Sequence, residues 1–274
     1  MLPSGVLLAI DVGNTNVTLG LFQGAKLIHQ FRLETARGRT ADEYTILVVQ
    51  LLAMHGIEPK QIAAAVIASV VPTLTDTVVG LVTRAFSCVP LVVGPGTKTG
   101  VAILLDNPRE VGADRIVNAV AAHDRVIATE GTSAALGVIV VDFGTATTFD
   151  VVSPKGEYVG GVICPGVLIS ADALFARAAR LPRVEIARPP RAIGKNTLHA
   201  MQSGLFYGYV ALVDGVVTRL RGEVAYPTRV IATGGLAPLI APASSTIDEV
   251  DDDLTLVGLR LLHERNRGHE HAQT

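Results

Sequence analysis

The chain has 274 residues, 49% hydrophobic and 4% aromatic, with no Trp and a formal net charge of −2. That length suits one large domain or two modest ones, with a core built from Val, Leu, Ile and Ala. The charge balance and the scattered aromatics argue against capture of nucleic acid, and no apolar run is long enough to cross a bilayer.

The opening MLPSGVLLAIDVG has no positive region ahead of its apolar run, so it reads as a first strand and not a signal peptide. Cys88 and Cys164 stand at no pairing or metal spacing, and a cytoplasmic protein with reduced thiols is expected. GVLLAIDV, NVTLGLF and AKLIHQFRLE predict three strands of an antiparallel meander, joined by GNTN and by a tight turn at QG. TADEYTILVVQLLAMHG has helical spacing, a Thr40–Glu43 capping box and a closing Gly56. A buried strand IAAAVIASVV, a helix opened by Pro72 and a strand VPLVVG complete a first α/β layer. EVGADRIVNAVAAHDRVIA is then helical. ATEGTSAALG reads as a surface loop, and GVIVVDF, TTFDVVS and EYVGGVIC repeat the meander. The return comes roughly 130 residues later, which fits a duplicated domain and not a solenoid. A long helical region broken at prolines, a strand RVIATGG and a helix DDLTLVGLRLLHERN follow, and the tail GHEHAQT is expected to be disordered.

Each meander has an acidic turn after its first strand: DVGNTN at Asp11–Asn16 and DFGTAT at Asp142–Thr147. Gly13 would let the chain turn sharply and bring backbone N–H groups towards an anion, with Asn14, Thr15 and Asn16 as side-chain donors. A carboxylate beside a phosphate needs a cation between them, so Asp11 implies Mg²⁺ held through water. Asp142, Gly144 and Thr145 repeat that logic. Either turn alone is equally compatible with an ordinary hairpin; the pairing in matching meanders is what points to phosphate. Gly234 and Gly235 in TGGLA could let backbone lie against an adenine or ribose, or form a plain strand-to-helix turn. GPGTKTG at 94–100 lacks the Gly before Lys98 that a Walker A loop needs, and reads as a connection.

NPREVGADRIVNA puts Asp114 and Arg115 in the first turn of a helix, whose N-terminus favours an ionised carboxylate. Asp114 could accept a proton from an attacking hydroxyl, or be a surface ion-pair residue. IDEVDDDLTL reads as an acidic approach to the last helix and not a metal site, and His263, His269 and His271 lack ligand spacing.

AIDVGNTN, NPREVGADRIVNA, VDFGTATTFDVV, GGVICPG, LPRVEIARP, IGKNTLHAMQSG and VIATGGLAPLI, in this order, resemble the type III pantothenate kinase family across nearly the whole chain. The resemblance implies an α/β fold of two duplicated actin-like (ribonuclease H-like) domains, 1–117 and 118–274. Each would be a mixed five-stranded sheet with flanking helices, with ligands in the cleft between the halves. It implies ATP-dependent 4′-phosphorylation of pantothenate, the first committed step towards coenzyme A, with Mg²⁺ and K⁺ or NH₄⁺, in a homodimer. By motif, Asp11, Val12, Gly13, Asn14, Thr15, Asn16, Val17 and Thr18 bind ATP phosphates and Mg²⁺. Gly112, Ala113, Asp114 and Arg115 bind pantothenate, with Asp114 as proton acceptor. Asp142 ligates the monovalent cation, Thr145 contacts ATP, and Thr197 touches pantothenate or caps the helix before LHAMQSG. Where many members carry a substrate-contacting Tyr ahead of the GADR run, this chain has Leu105. Rival readings are a kinase for another hydroxy-carboxylate, and a nucleotide-binding regulatory protein without turnover. Retention of Asp11, Asp114 and Asp142 favours catalysis.

Overall fold

The computed structural model describes residues 5–131, 135–178 and 181–267. They form two compact units, one within Met1–Gly100, Asn107–Ala121 and Thr255–Thr274, the other within Val101–Asp106 and Ala122–Leu254.

In the first unit, β1 (Val6–Val12), β2 (Asn16–Gln23) and β3 (Lys26–Glu34) form the predicted antiparallel meander. Gly24, at φ 60°, makes the tight turn between β2 and β3. α1 (Ala41–Met54) opens with the Thr40–Glu43 capping box. It closes where the Gly56 and Ile57 N–H groups donate to the Ala53 and Leu52 carbonyls, a left-handed glycine cap that lets the chain reverse. β4 (Ile62–Ser69) runs parallel to β1, α2 (Pro72–Phe86) opens on its proline, and β5 (Leu91–Val92) is shorter than VPLVVG suggests. The sheet order is β3-β2-β1-β4-β5. Alternate residues of β1 and β2, from Leu8 and Ile10 to Leu19 and Leu21, pack with Tyr44, Val48 and Leu52 of α1 and Leu74 and Val78 of α2.

β6 (Ala102–Ile103) comes next, then α3 (Ala113–Glu130), whose first turns count with the first unit and the remainder with the second. β7 (Gly137–Phe143), β8 (Ala146–Val152) and β9 (Glu157–Pro165) rebuild the meander. α4 (Val167–Arg177), α5 (Thr197–Glu223), β10 (Thr228–Thr233), α6 (Ala237–Ile240) and β11 (Glu249–Val250) complete the second unit. Its sheet runs β11-β10-β7-β8-β9-β6. This is the first sheet's order with one strand more than the five expected, because Ala102 and Ile103 pair along the outer edge of β9. β1 and β7 bury every residue except the sixth, Asp11 and Asp142 respectively, which are half-buried. The duplication therefore extends to the burial of each position.

α7 (Leu254–Asn266) belongs with the first unit from Thr255 onward, where Leu256 packs on Gly20 of β2 and Gly258 lies against the Val117 carbonyl. A sheet covered on both faces explains why its strands are almost continuously apolar. One expectation needs correction. Ala128–Glu130 of the presumed loop ATEGTSAALG continue α3 and Gly137 begins β7, with 132–134 outside the described residues. The prolines of 181–190 break the helical region, as the sequence predicts, with irregular chain between α4 and α5. The tail from 268, with His269 and His271, lies outside the described residues.

Candidate active site

Asp11 sits at the C-terminal end of β1, opposite Thr18 on β2 and beside Ala68 on β4. Ligands of open α/β sheets gather at this end of the parallel strands. Val12 and Val17 are buried in the core and offer only backbone, while Asn14 and Thr15 are exposed. Gly13 does not adopt a positive φ. Its N–H donates to the Asn16 carbonyl at 3.0 Å, so it is not aimed at an anion as the sequence suggests. Glycine eases the close approach there, since a Cβ would stand a tight 3.1 Å from that carbonyl oxygen. Thr35 backs the turn, donating from its hydroxyl to the Gly13 carbonyl (2.7 Å) and from its N–H to the Thr15 carbonyl (2.9 Å). Nothing in the sequence marks Thr35 beyond its place at the end of a strand.

The same unit carries Asp114. The Val70 N–H donates to the Val12 carbonyl at 3.0 Å. A Cβ built on Gly112 would meet the Val70 side chain at 3.7 Å and the Asp114 Oδ1 at 2.5 Å. Gly112 is therefore needed so that the carboxylate can fold against the backbone. Val70 links the end of β1 to this position. Oδ1 also accepts from the Arg115 N–H at 2.8 Å. Burial pushes the Asp114 carboxyl above its ordinary value, against the lowering effects of the Arg115 N–H and guanidinium. A carboxyl pushed upward by burial is a feature of catalytic carboxylates.

In the second unit, Asp142 lies opposite Thr148 and beside Thr233. A Cβ on Gly234, which has φ 90°, would reach 2.5 Å from the Asp142 Oδ1, and one on Gly144 would come within 3.5 Å. Gly234 therefore makes room for this carboxylate, whereas a methyl group at Gly144 would make only ordinary contact, and the sequence motif TGGLA is brought to the second turn, with Gly235 exposed next to it. Gly166, which precedes α4, presses on the Thr145 carbonyl, where a Cβ could not fit. Thr147 is fully buried, and its hydroxyl has no hydrogen-bond partner among the described residues.

Thr197 is the first residue of α5, but the cap is Asn196, whose Oδ1 accepts from the His199 N–H at 2.8 Å. Thr197 lines a cavity of about 760 Å³ together with Ser170, Leu174, Lys195, Met201 and Leu205. Leu105 packs towards Gly160 of β9. The acidic stretch is paired: Glu249 and Asp251 hold Arg125 at 2.9 and 3.0 Å, and Asp248 accepts from the Val230 N–H at 2.7 Å. Among the described residues no group of three or more His, Cys, Asp or Glu side chains could hold a metal.

Two mixed sheets of matching order, each with a half-buried aspartate ending its first strand, define an α/β protein of the duplicated actin-like class. Solved structures agree on the fold. EutJ, an ethanolamine utilization protein of Carboxydothermus hydrogenoformans, has a TM-score of 0.53 at 14% identity, covering 95% of this chain and 91% of its own. Component A of the (R)-2-hydroxyglutaryl-CoA dehydratase of Acidaminococcus fermentans has 0.50 at 12%, covering 93% and 95%. The family model for type III pantothenate kinase matches residues 7–219. Type III pantothenate kinases of Myxococcus xanthus and an Anaeromyxobacter species are 57% and 58% identical, covering 95% and 96% of this chain and 99% and 100% of theirs. The chain belongs to the type III pantothenate kinase family.

Proposed function

We propose that this chain transfers the γ-phosphoryl group of ATP to the 4′-hydroxyl of pantothenate, giving 4′-phosphopantothenate for coenzyme A synthesis. The observation that carries this reading, beyond family membership, is the seating of Asp114. A desolvated carboxylate is folded on Gly112 and tied through Val70 to the end of β1, in the same unit as the first acidic turn. Asp114 accepts the hydroxyl proton as its oxygen attacks phosphorus, and Gly112, Ala113 and Arg115 with Thr197 and Leu105 contact pantothenate. ATP is bound by the Asp11–Thr18 turn, Thr145, Gly234 and Gly235. Positioning and charge neutralisation supply most of the rate, and the base about 10²–10⁴-fold.

The donor sets suit hard cations. Asp11 is a single half-buried carboxylate at the turn, which fits Mg²⁺ completing its shell with water and phosphate oxygens. The glycine-cleared cradle at Asp142 fits K⁺ or NH₄⁺. When bound, these ions offset negative charge on the transferring phosphoryl group.

The test is a steady-state assay with ATP, pantothenate, Mg²⁺ and K⁺, with Asp114→Asn run in parallel. The variant should still bind ATP while transfer falls by about 10²-fold or more. Equal rates would remove Asp114 from its role, and ADP release without phosphopantothenate from the parent chain would overturn the choice of acceptor.

A further inference from the structure

β3 ends at Glu34 and α1 is capped at Thr40, and the short segment between them abuts the first turn. Thr35 ties it to Gly13 and Thr15, as described. Tyr44, 1% exposed, holds it from the core: its hydroxyl accepts from the Ala36 N–H at 3.0 Å and lies 3.3 Å from the Glu34 carbonyl. With Thr35 and Ala36 both held, Arg37 is delivered to the turn, where its Nη2 donates to the Asn14 Oδ1 at 3.2 Å. Arg37 is exposed. That amide is its one hydrogen-bond partner among the described residues, and no carboxylate there lies in ion-pair range.

Charge gives this placement its meaning. The first turn offers amides, hydroxyls and one acid, Asp11. A triphosphate carries several negative charges, and the carboxylate adds another. An Asn amide orients a guanidinium without neutralising it, so the full positive charge stays at the turn. The planar fork of arginine matches phosphate oxygens in pairs, and phosphoryl transfer gains from cations beside the transferring group. Thr35 and Tyr44 fix the backbone ahead of Arg37, so little ordering is left for ligand binding.

We propose that Arg37 is a phosphate-binding residue that donates to non-bridging oxygens of the nucleoside triphosphate at the Asn14–Thr15 turn. This rests on the reading of that turn as the ATP site.

The experiment compares Arg37→Ala with the parent enzyme in the steady-state assay, with ATP and pantothenate varied separately. Lys60→Ala serves as the charge-matched control, since Lys60 is an exposed residue paired with Glu58. Arg37→Ala should lower kcat/KM for ATP about tenfold or more, as loss of one charge-assisted contact implies. KM for pantothenate and the thermal midpoint should stay unchanged. A smaller fall, an equal fall in Lys60→Ala, or a matching rise in pantothenate KM would each overturn the proposal. Asp11→Asn separates the two levels. If it abolishes ATP use while Arg37→Ala does not, only the role of Arg37 fails. If neither variant impairs ATP use, the turn is not the ATP site.

Discussion

Asp114 stands where burial raises its carboxyl pKa, and that carries a cost in stability as well as a use in chemistry. A carboxyl with a raised folded-state pKa binds its proton more tightly in the folded chain. Its penalty is absent below the ordinary value of 3.8, grows as pH rises towards the raised value, and is complete above it. Asp114→Asn should therefore unfold at a higher temperature than the parent at neutral pH while losing transfer; an unchanged or lower midpoint would show that burial is not penalising the charge. The same shift means that kcat/KM should fall on the acid side at a pH above the ordinary carboxyl range, and this limb should vanish in the Asn variant. At Asp142 the relevant neighbour is Gly234. A methyl group there meets the carboxylate at 2.5 Å and the Phe143 backbone at 2.7 Å, on a backbone with φ 90°. Gly234→Ala should weaken the response to K⁺ over Na⁺, measured as the ratio of rates in the two salts. A ratio unaltered from the parent's would count against the cradle as the cation site.

Among the elements, α1 shows how a local signal acts at a distance. Its Thr40–Glu43 box closes the first turn of the helix, and Tyr44 in the next position reaches back to residues 34–36 behind the Asp11–Asn16 turn. Thr40→Ala removes the acceptor for the Glu43 N–H and should lower the thermal midpoint by about 2–4 °C. Because Tyr44 follows the cap, KM for ATP should rise as well, and an unchanged KM would confine the cap to helix stability. α3 and α7 illustrate the reverse case. Their periodicity predicts two helices, but nothing in either pattern reveals that Gly258 must pass the Val117 carbonyl without a Cβ. That contact depends on residues far apart in the chain.

For the whole molecule, no described helix is long and apolar enough to cross a membrane. Large apolar side chains are nonetheless exposed in the second unit: Leu168 (55%), Phe175 (38%) and Ile193 (83%) on or near α4 and α5. A homodimer, as the family resemblance implies, would gain from covering these three side chains. Phe175→Glu combined with Ile193→Glu should shift the mass in solution, read by light scattering, from dimer to monomer. A dimer mass retained in that variant would place the interface elsewhere.

The strand alternation, the helix caps and the two acidic turns are legible in the chain because each depends on neighbours within a few residues: Thr40 with Glu43, Gly24 in its hairpin, Asp11 and Asp142 ending apolar runs. The motifs also carry the family. Tertiary packing alone decided what the glycines do. Gly13 and Gly112 serve close approach, not left-handed backbone, and Gly234 belongs beside Asp142. It also decided that Thr35, Val70 and Arg37 join the first turn, since these residues look ordinary until β3 is laid beside β2 and β4 beside β1. Short-range hydrogen bonds and steric preferences are written into consecutive residues, whereas the burial of a carboxylate, and the pKa that follows from it, exist only once distant segments exclude water together.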